Sequence, residues 1–166
     1  MRVEPTARSV EQMALSVWQP WAYLLVTGVK DVENRRWSTS HRSRLWIHAS
    51  QRLDEGAYQA LRAAGVDLPE PDQLPRGALV GAVEFIACVR DSQTEWAGPG
   101  QWHWQMAQHW ELPRPIPTRG RQRLFPVRPP EESAAPCGAQ PHSARRVTAR
   151  VLPIQWFDPD PKEPQP

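Results

Sequence analysis

The run 28–37, GVKDVENRRW, crowds Lys30, Asp31, Glu33, Arg35 and Arg36 into a few positions of a chain whose only lysines are Lys30 and Lys162. A lysine three residues before a glutamate has two kinds of chemistry open to it. Partly desolvated, its ammonium loses proton affinity and can serve as a base; kept charged, it can hold an oxyanion or a phosphate. The plain alternative is a solvated lysine paired with Glu33. A second carboxylate, Glu84, stands in the apolar context Ala82-Val83-Glu84-Phe85-Ile86. If buried, it must be paired or neutralised, with Lys30, Arg35 or Arg42 as partner. If it sits at an exposed alternate position, it has no such duty. A lysine with two carboxylates could position water or polarise an amide, so Lys30, Glu33 and Glu84 are the candidate catalytic groups.

The nine tryptophans offer binding chemistry instead. Rings beside arginines can stack unpaired bases, at roughly 1–3 kcal/mol per base. Trp18 and Trp37 flank the candidate cleft and are the expected stacking surfaces, whereas Trp21, Trp46 and Trp104 are assigned to the core. Arg35, Arg36, Arg42 and Arg44 could hold phosphates, against the alternative of solvated surface arginines. His48, at the end of a strand, is either a satisfied hydrogen-bonding histidine or a ligand or acid/base group. His41, His103 and His109 lack metal-ligand spacing in a chain with two cysteines, so no metal and no cofactor are expected. No dinucleotide fingerprint, phosphate loop or nucleophile elbow is present.

Local patterns say which elements must carry these groups. Residues 15–17 form a brief apolar strand. Pro20 suits the first helical position, and Trp21, Leu24 and Leu25 recur at i, i+3, i+4 to give that helix one apolar stripe. Gly28 then closes it, leaving Lys30 on a tight corner. Residues 45–49 return as a buried strand. Asp54 caps a helix running to residue 64, which Gly65 ends. The apolar run 78–89 predicts a long central strand, with Gly77 and Gly81 permitting bends or bulges. Trp102, Trp104 and Met106 alternate with polar neighbours, the period of a half-buried strand. Pro113, Pro115 and Pro117 argue for an extended surface connection, and residues 121–127 can form a closing strand.

A chain of 166 residues is long enough for one domain and short for two. With 20 Lys+Arg against 18 Asp+Glu, coating of DNA or a membrane by bulk charge is not expected. Its first residues lack the apolar core of a signal peptide and no stretch approaches the length of a membrane helix, so a cytoplasmic protein is expected. Prolines concentrate after residue 128, which predicts a mostly disordered tail over 129–166. Within it, the alternation at 146–154 could add one edge strand to the domain.

Several of these pieces, taken in order, resemble the ASCH domain family: the Gln19-Pro20-Trp21-Ala22 helix start, Gly28, Lys30 and Glu33, the following Asn34-Arg35, the strand 45–48 ending in His48, the run 77–84 with its glutamate, and the closing pieces 113–117 and 120–122. ASCH domains in turn resemble the PUA superfamily of small RNA-binding β-barrels. The resemblance covers residues 12–128 and implies an α+β fold, a small PUA-like β-barrel with two or three short helices. Together with the resemblance, these residues lead us to expect recognition of RNA or a modified nucleoside in a Lys30/Glu33/Arg35 cleft completed by Glu84, with Trp18, Lys30, Asn34, Arg35, Trp37, Arg42 and His48 as the ligand-binding candidates. One branch of the family hydrolyses the acetyl amide of N4-acetylcytidine with a lysine, a threonine three residues later and a strand glutamate. Lys30 and Glu84 match the first and third, but Glu33 stands at the threonine position, so that nucleophile does not carry over. A hydrolase acting on an acylated nucleoside or on RNA is one alternative. A protein-interaction module using the proline-rich tail is another.

Overall fold

The computed structural model of the chain describes residues 11–130. Six strands and two helices follow one another as β1 (Gln12–Gln19), α1 (Trp21–Val26), β2 (Val32–Arg35), β3 (Ser43–Leu53), α2 (Glu55–Ala63), β4 (Ala78–Val89), β5 (Trp102–Pro117) and β6 (Leu124–Val127). The expected edge strand at 146–154 and the rest of the tail beyond residue 130 lie outside the described residues.

All six strands join one mixed sheet in the order β2-β5-β4-β3-β1-β6. β1 runs parallel to β3, which sequential apolar runs do not reveal; every other pairing is antiparallel. The α+β architecture is as expected, but the closed barrel is not: β2 and β6 are both edges, and no ladder joins them. The sheet nevertheless curls. In a flat sheet the four steps from β2 to β1 would span about 19 Å. Yet the Arg35 guanidinium in β2 donates to the Ser16 carbonyl in β1 at 3.0 Å. Ser16 lies just past the last residue of β1 paired with β6, Leu15 opposite Leu124. A side chain therefore crosses the gap where a barrel would continue its ladder.

Alternation along the strands divides the apolar residues between two cores. The larger joins α1, α2 and one sheet face, with Leu15, Val17, Leu24, Leu25, Ile47, Val83, Phe85 and Trp104 among its members. The smaller, on the other face, is built from Ala14, Trp46, Leu79, Ala82, Phe125 and Val127. α1 is one and a half turns long, and Gln19 supports it from outside: its amide oxygen accepts from the Tyr23 N–H at 3.0 Å while its amide nitrogen donates to the Pro75 carbonyl. Asp54 caps α2 as the sequence predicts, accepting from the Ala57 N–H at 2.9 Å.

The three prolines are the principal surprise in the sheet. Residues 113–117, expected as an unpaired connection, complete β5, with Ile116 and Pro117 opposite Leu79 and Ala78. Pro113 and Pro115 fall within a register shift, between Ile116 opposite Leu79 and Glu111 opposite Gly81. A bulge asks for no N–H at those positions, which is where a strand tolerates proline.

Candidate functional site

Gly28, with φ of 77°, turns the chain sharply at the end of α1, and the Lys30 N–H returns to the Leu24 carbonyl at 3.0 Å. That closure aims the lysine inward. It is 2% exposed, and its Nζ lies 2.7 Å from Glu33 Oε2. Glu33 and Arg35, two apart on β2, share a face of the strand. The second oxygen of Glu33, Oε1, takes the Arg35 Nη2 at 3.1 Å. One carboxylate thus sits between two cations, all three buried. The Trp21 ring, 5.6 Å from Lys30 Nζ, provides a cation–π face.

Burial moves the pKa of Lys30 below that of an ordinary lysine, with the Glu33 charge and hydrogen bond opposing it in part. Burial acts on Glu33 in the upward sense, but the charges and hydrogen bonds of Lys30 and Arg35 outweigh it and hold the carboxyl below the usual carboxylate range. The result is an ionised Glu33 facing an ammonium that gives up its proton more readily than a solvated one. Two polar atoms here have no acceptor among the described residues: Arg35 Nε and, two residues on, Trp37 Nε1. Each such buried donor costs about 1–3 kcal/mol.

The Trp37 ring lies edge-on to Trp104, centroids 4.6 Å apart, and Trp104 stacks on Phe85 at 5.1 Å. Trp104 is directly opposite Glu33 across the β2–β5 ladder, so the aromatic run begins against the ion cluster. Trp104 and Phe85 are buried, whereas Trp37 is half-buried and carries the Arg123 guanidinium 4.5 Å from its ring centroid.

The other expected site residues lie elsewhere. Glu84 does not meet Lys30: it is opposite Arg44 on β3 and alternates with Val83 and Phe85, which face the large core. The period of two therefore turns its carboxylate to the other side of the sheet, where Arg44 lies over the Trp110 ring. Asn34 is committed to the chain itself, donating to the Trp96 carbonyl and accepting from the Gly98 N–H, each at 2.8 Å. Arg42 is exposed, donates to the Thr39 and His41 carbonyls and covers Phe85. Trp18 is half-buried beneath Arg52. Among the described residues no group of three or more His, Cys, Asp or Glu is placed to hold a metal, and no helix is long and apolar enough to cross a membrane.

His48 occupies a separate constellation that the sequence did not disclose. The Thr118 carbonyl, 2.8 Å from Nε2, can only accept, so Nε2 carries the proton. Nδ1 then accepts from the Ser16 hydroxyl at 2.9 Å. Phe125 of the smaller core packs edge-on to the imidazole. Burial moves His48 below the usual histidine range, against the opposing pull of the Thr118 bond. Gly120 closes over this pair so tightly that a Cβ there would come 2.5 Å from His48 Cε1 and 2.8 Å from Ser16 Oγ. Ser16, Trp96 and Arg123 were all missed. The Gly120 contact was in principle legible, but only to a reader who already knew that β6 returns beside β1.

Residues 15–117 match the family model described as the ASCH domain. Over 87 residues, 48% of this chain, it is 46% identical to human "Activating signal cointegrator 1", and 45% identical to the mouse protein of the same name. The match spans only 15% of the length of each of those relatives. A solved structure, "Crystal structure of ASCH from Zymomonas mobilis", is similar with a TM-score of 0.46 and 19% identity, over 74% of this chain and 90% of that one. Since the family match takes in well over half of its residues, this chain belongs to the ASCH domain family.

Proposed function

We propose that the domain recognises single-stranded RNA or a modified nucleoside at the end of β2, with Trp37 as the stacking surface and the Lys30–Glu33–Arg35 cluster as the polar anchor behind it. The observation that carries this reading is the pair of buried N–H donors, Arg35 Nε and Trp37 Nε1, with no acceptor among the described residues, beside a half-buried indole capped by Arg123. A nucleotide brings what these groups lack: carbonyl, hydroxyl and phosphate oxygens as acceptors, and a flat ring to slide between an indole and a guanidinium. Glu33 and the Ser16 carbonyl support this role by both accepting from Arg35 Nη2, which leaves Nε without an acceptor among the described residues.

Hydrolysis of an acylated nucleoside is the weaker reading. Glu84, its third group, faces the other side of the sheet, and Lys30 and Glu33 are bound to each other. Incubation with N4-acetylcytidine and detection of released cytidine tests it directly. Binding is tested by fluorescence anisotropy with a labelled single-stranded RNA across a salt series. Affinity falls as salt rises, and Arg123→Ala weakens it while lowering the salt slope by about one. Salt-independent binding, or an unchanged Arg123→Ala variant, would sink the assignment of this cleft.

A further inference from the structure

On the sheet face away from the Lys30 cluster lies a pocket of about 340 Å³. Leu79, Ile116 and Phe125 contribute apolar lining, and Arg119, Arg121 and Arg128, all exposed, contribute cationic lining. Among the described residues, no acidic residue lines it. A site of this kind selects an occupant with a flat or bulky apolar anchor followed closely by carboxylates.

The chain itself supplies such a segment. Beyond residue 130, Trp156 and Phe157 are the only large aromatic residues, and Asp158 and Asp160 follow them immediately. The earlier part of that stretch opens with the acidic pair Glu131-Glu132 and continues with Arg145, Arg146 and Arg150, but carries no large aromatic residue to fill the apolar part of the pocket. Tethering is favourable as well, because Pro129 is part of the pocket wall. The roughly 26 residues between it and Trp156 have a coil reach of about 28 Å, ample for a return to the same pocket.

We propose that residues 154–160 dock in this pocket of their own molecule, an aromatic ring of Trp156 or Phe157 against Leu79, Ile116 and Phe125, and Asp158 and Asp160 against the three arginines. The docked segment fastens the C-terminal part of the chain to the face opposite the nucleotide cleft. The pocket is then available to an outside acidic–aromatic peptide only by displacing the chain's own segment.

The test uses the full chain. Nuclear magnetic resonance spectra of wild type and Trp156→Ala/Phe157→Ala are compared at Leu79, Ile116 and Phe125; shifts at these residues, unchanged on tenfold dilution, are expected. A labelled synthetic peptide of residues 154–160 should bind the double variant about tenfold more tightly than wild type, the competition expected of a tethered ligand at roughly millimolar effective concentration. Asp158→Arg/Asp160→Arg should release the segment in the same way, and adding Arg119→Glu/Arg121→Glu should restore it. Identical spectra in wild type and double variant, or equal peptide affinity for both, would overturn the proposal. Shifts that disappear on dilution would overturn it in favour of a second copy's segment.

Discussion

The guanidinium of Arg35 reaches the backbone carbonyl of Ser16 at 3.0 Å, although three strands of the sheet separate β2 from β1. This contact makes the curled sheet and the ion cluster one structural unit. The arginine that ties the open side of the sheet also clamps Glu33, which in turn holds Lys30. On the proposed reading, stability and recognition share these residues, so a variant of either is expected to affect both.

Removing the carboxylate tests the cluster's energetics. Glu33→Ala leaves two buried cations facing each other, and loss of one partner of a buried ion pair is worth about 3–5 kcal/mol. Urea denaturation should show that loss, with a smaller one for Glu33→Gln, which keeps an acceptor. A Glu33→Ala variant as stable as wild type would mean that water already solvates the site.

Acid should weaken the fold, and the sign is the same for three groups. His48 and His109 have folded pKa values below the usual histidine value, chiefly through burial. The unfolded chain therefore binds more protons as pH falls through about 6.5, and stability declines below that point. Glu33, held below the usual carboxylate range, adds stability that is lost as pH falls from about 4.5 towards its folded value. Melting temperatures should drop from pH 7.5 to pH 5, and His48→Gln should flatten that slope. An equal slope in the variant would remove His48 from the account.

Two glycines should resist side chains. A Cβ on Gly81 would collide with the Trp110 backbone carbonyl and the Val26 side chain, and one on Gly120 with the Ser16–His48 pair. Both alanine variants should be destabilised by about 1–3 kcal/mol, with Gly81→Ala the worse because a backbone atom cannot rotate away. Thermal melts rank them, and the reverse order would contradict the register of β4 against β5.

Asn34 should act on a loop. Asn34→Ala removes both bonds to residues 96 and 98, so hydrogen exchange around Gly98 should accelerate while the β4–β5 ladder stays protected. Uniform acceleration would instead show that the loop belongs to the global core.

Local chemistry was the legible part of this protein. The helix stop at Gly28, the Asp54 cap, the long strand 78–89 and the burial of Trp46 and Trp104 follow from spacing and residue type, and Lys30 and Glu33 do meet. Long-range register was not legible. Whether Glu84 faces Lys30 depends on a strand parity fixed by β3 and β5, and the run 82–86 hides parity because apolar residues stand on both its faces, Ile86 being exposed although it is apolar. The same blindness concealed Ser16 beside His48, which the parallel pairing of β1 with β3 brings together. Barrel closure failed for a related reason: β2 and β6 are four residues each, and nothing local shows that they never pair.

On the proposed reading, the buried donors of Arg35 and Trp37 receive a nucleotide. Their Nε–H and Nε1–H signals can be followed directly in nitrogen-edited proton spectra while a single-stranded RNA oligonucleotide is added to the full chain. Both signals should shift together and saturate with the anisotropy curve, and added salt should reverse both. RNA that binds while these two signals stay still, with changes confined to other surfaces, would contradict it.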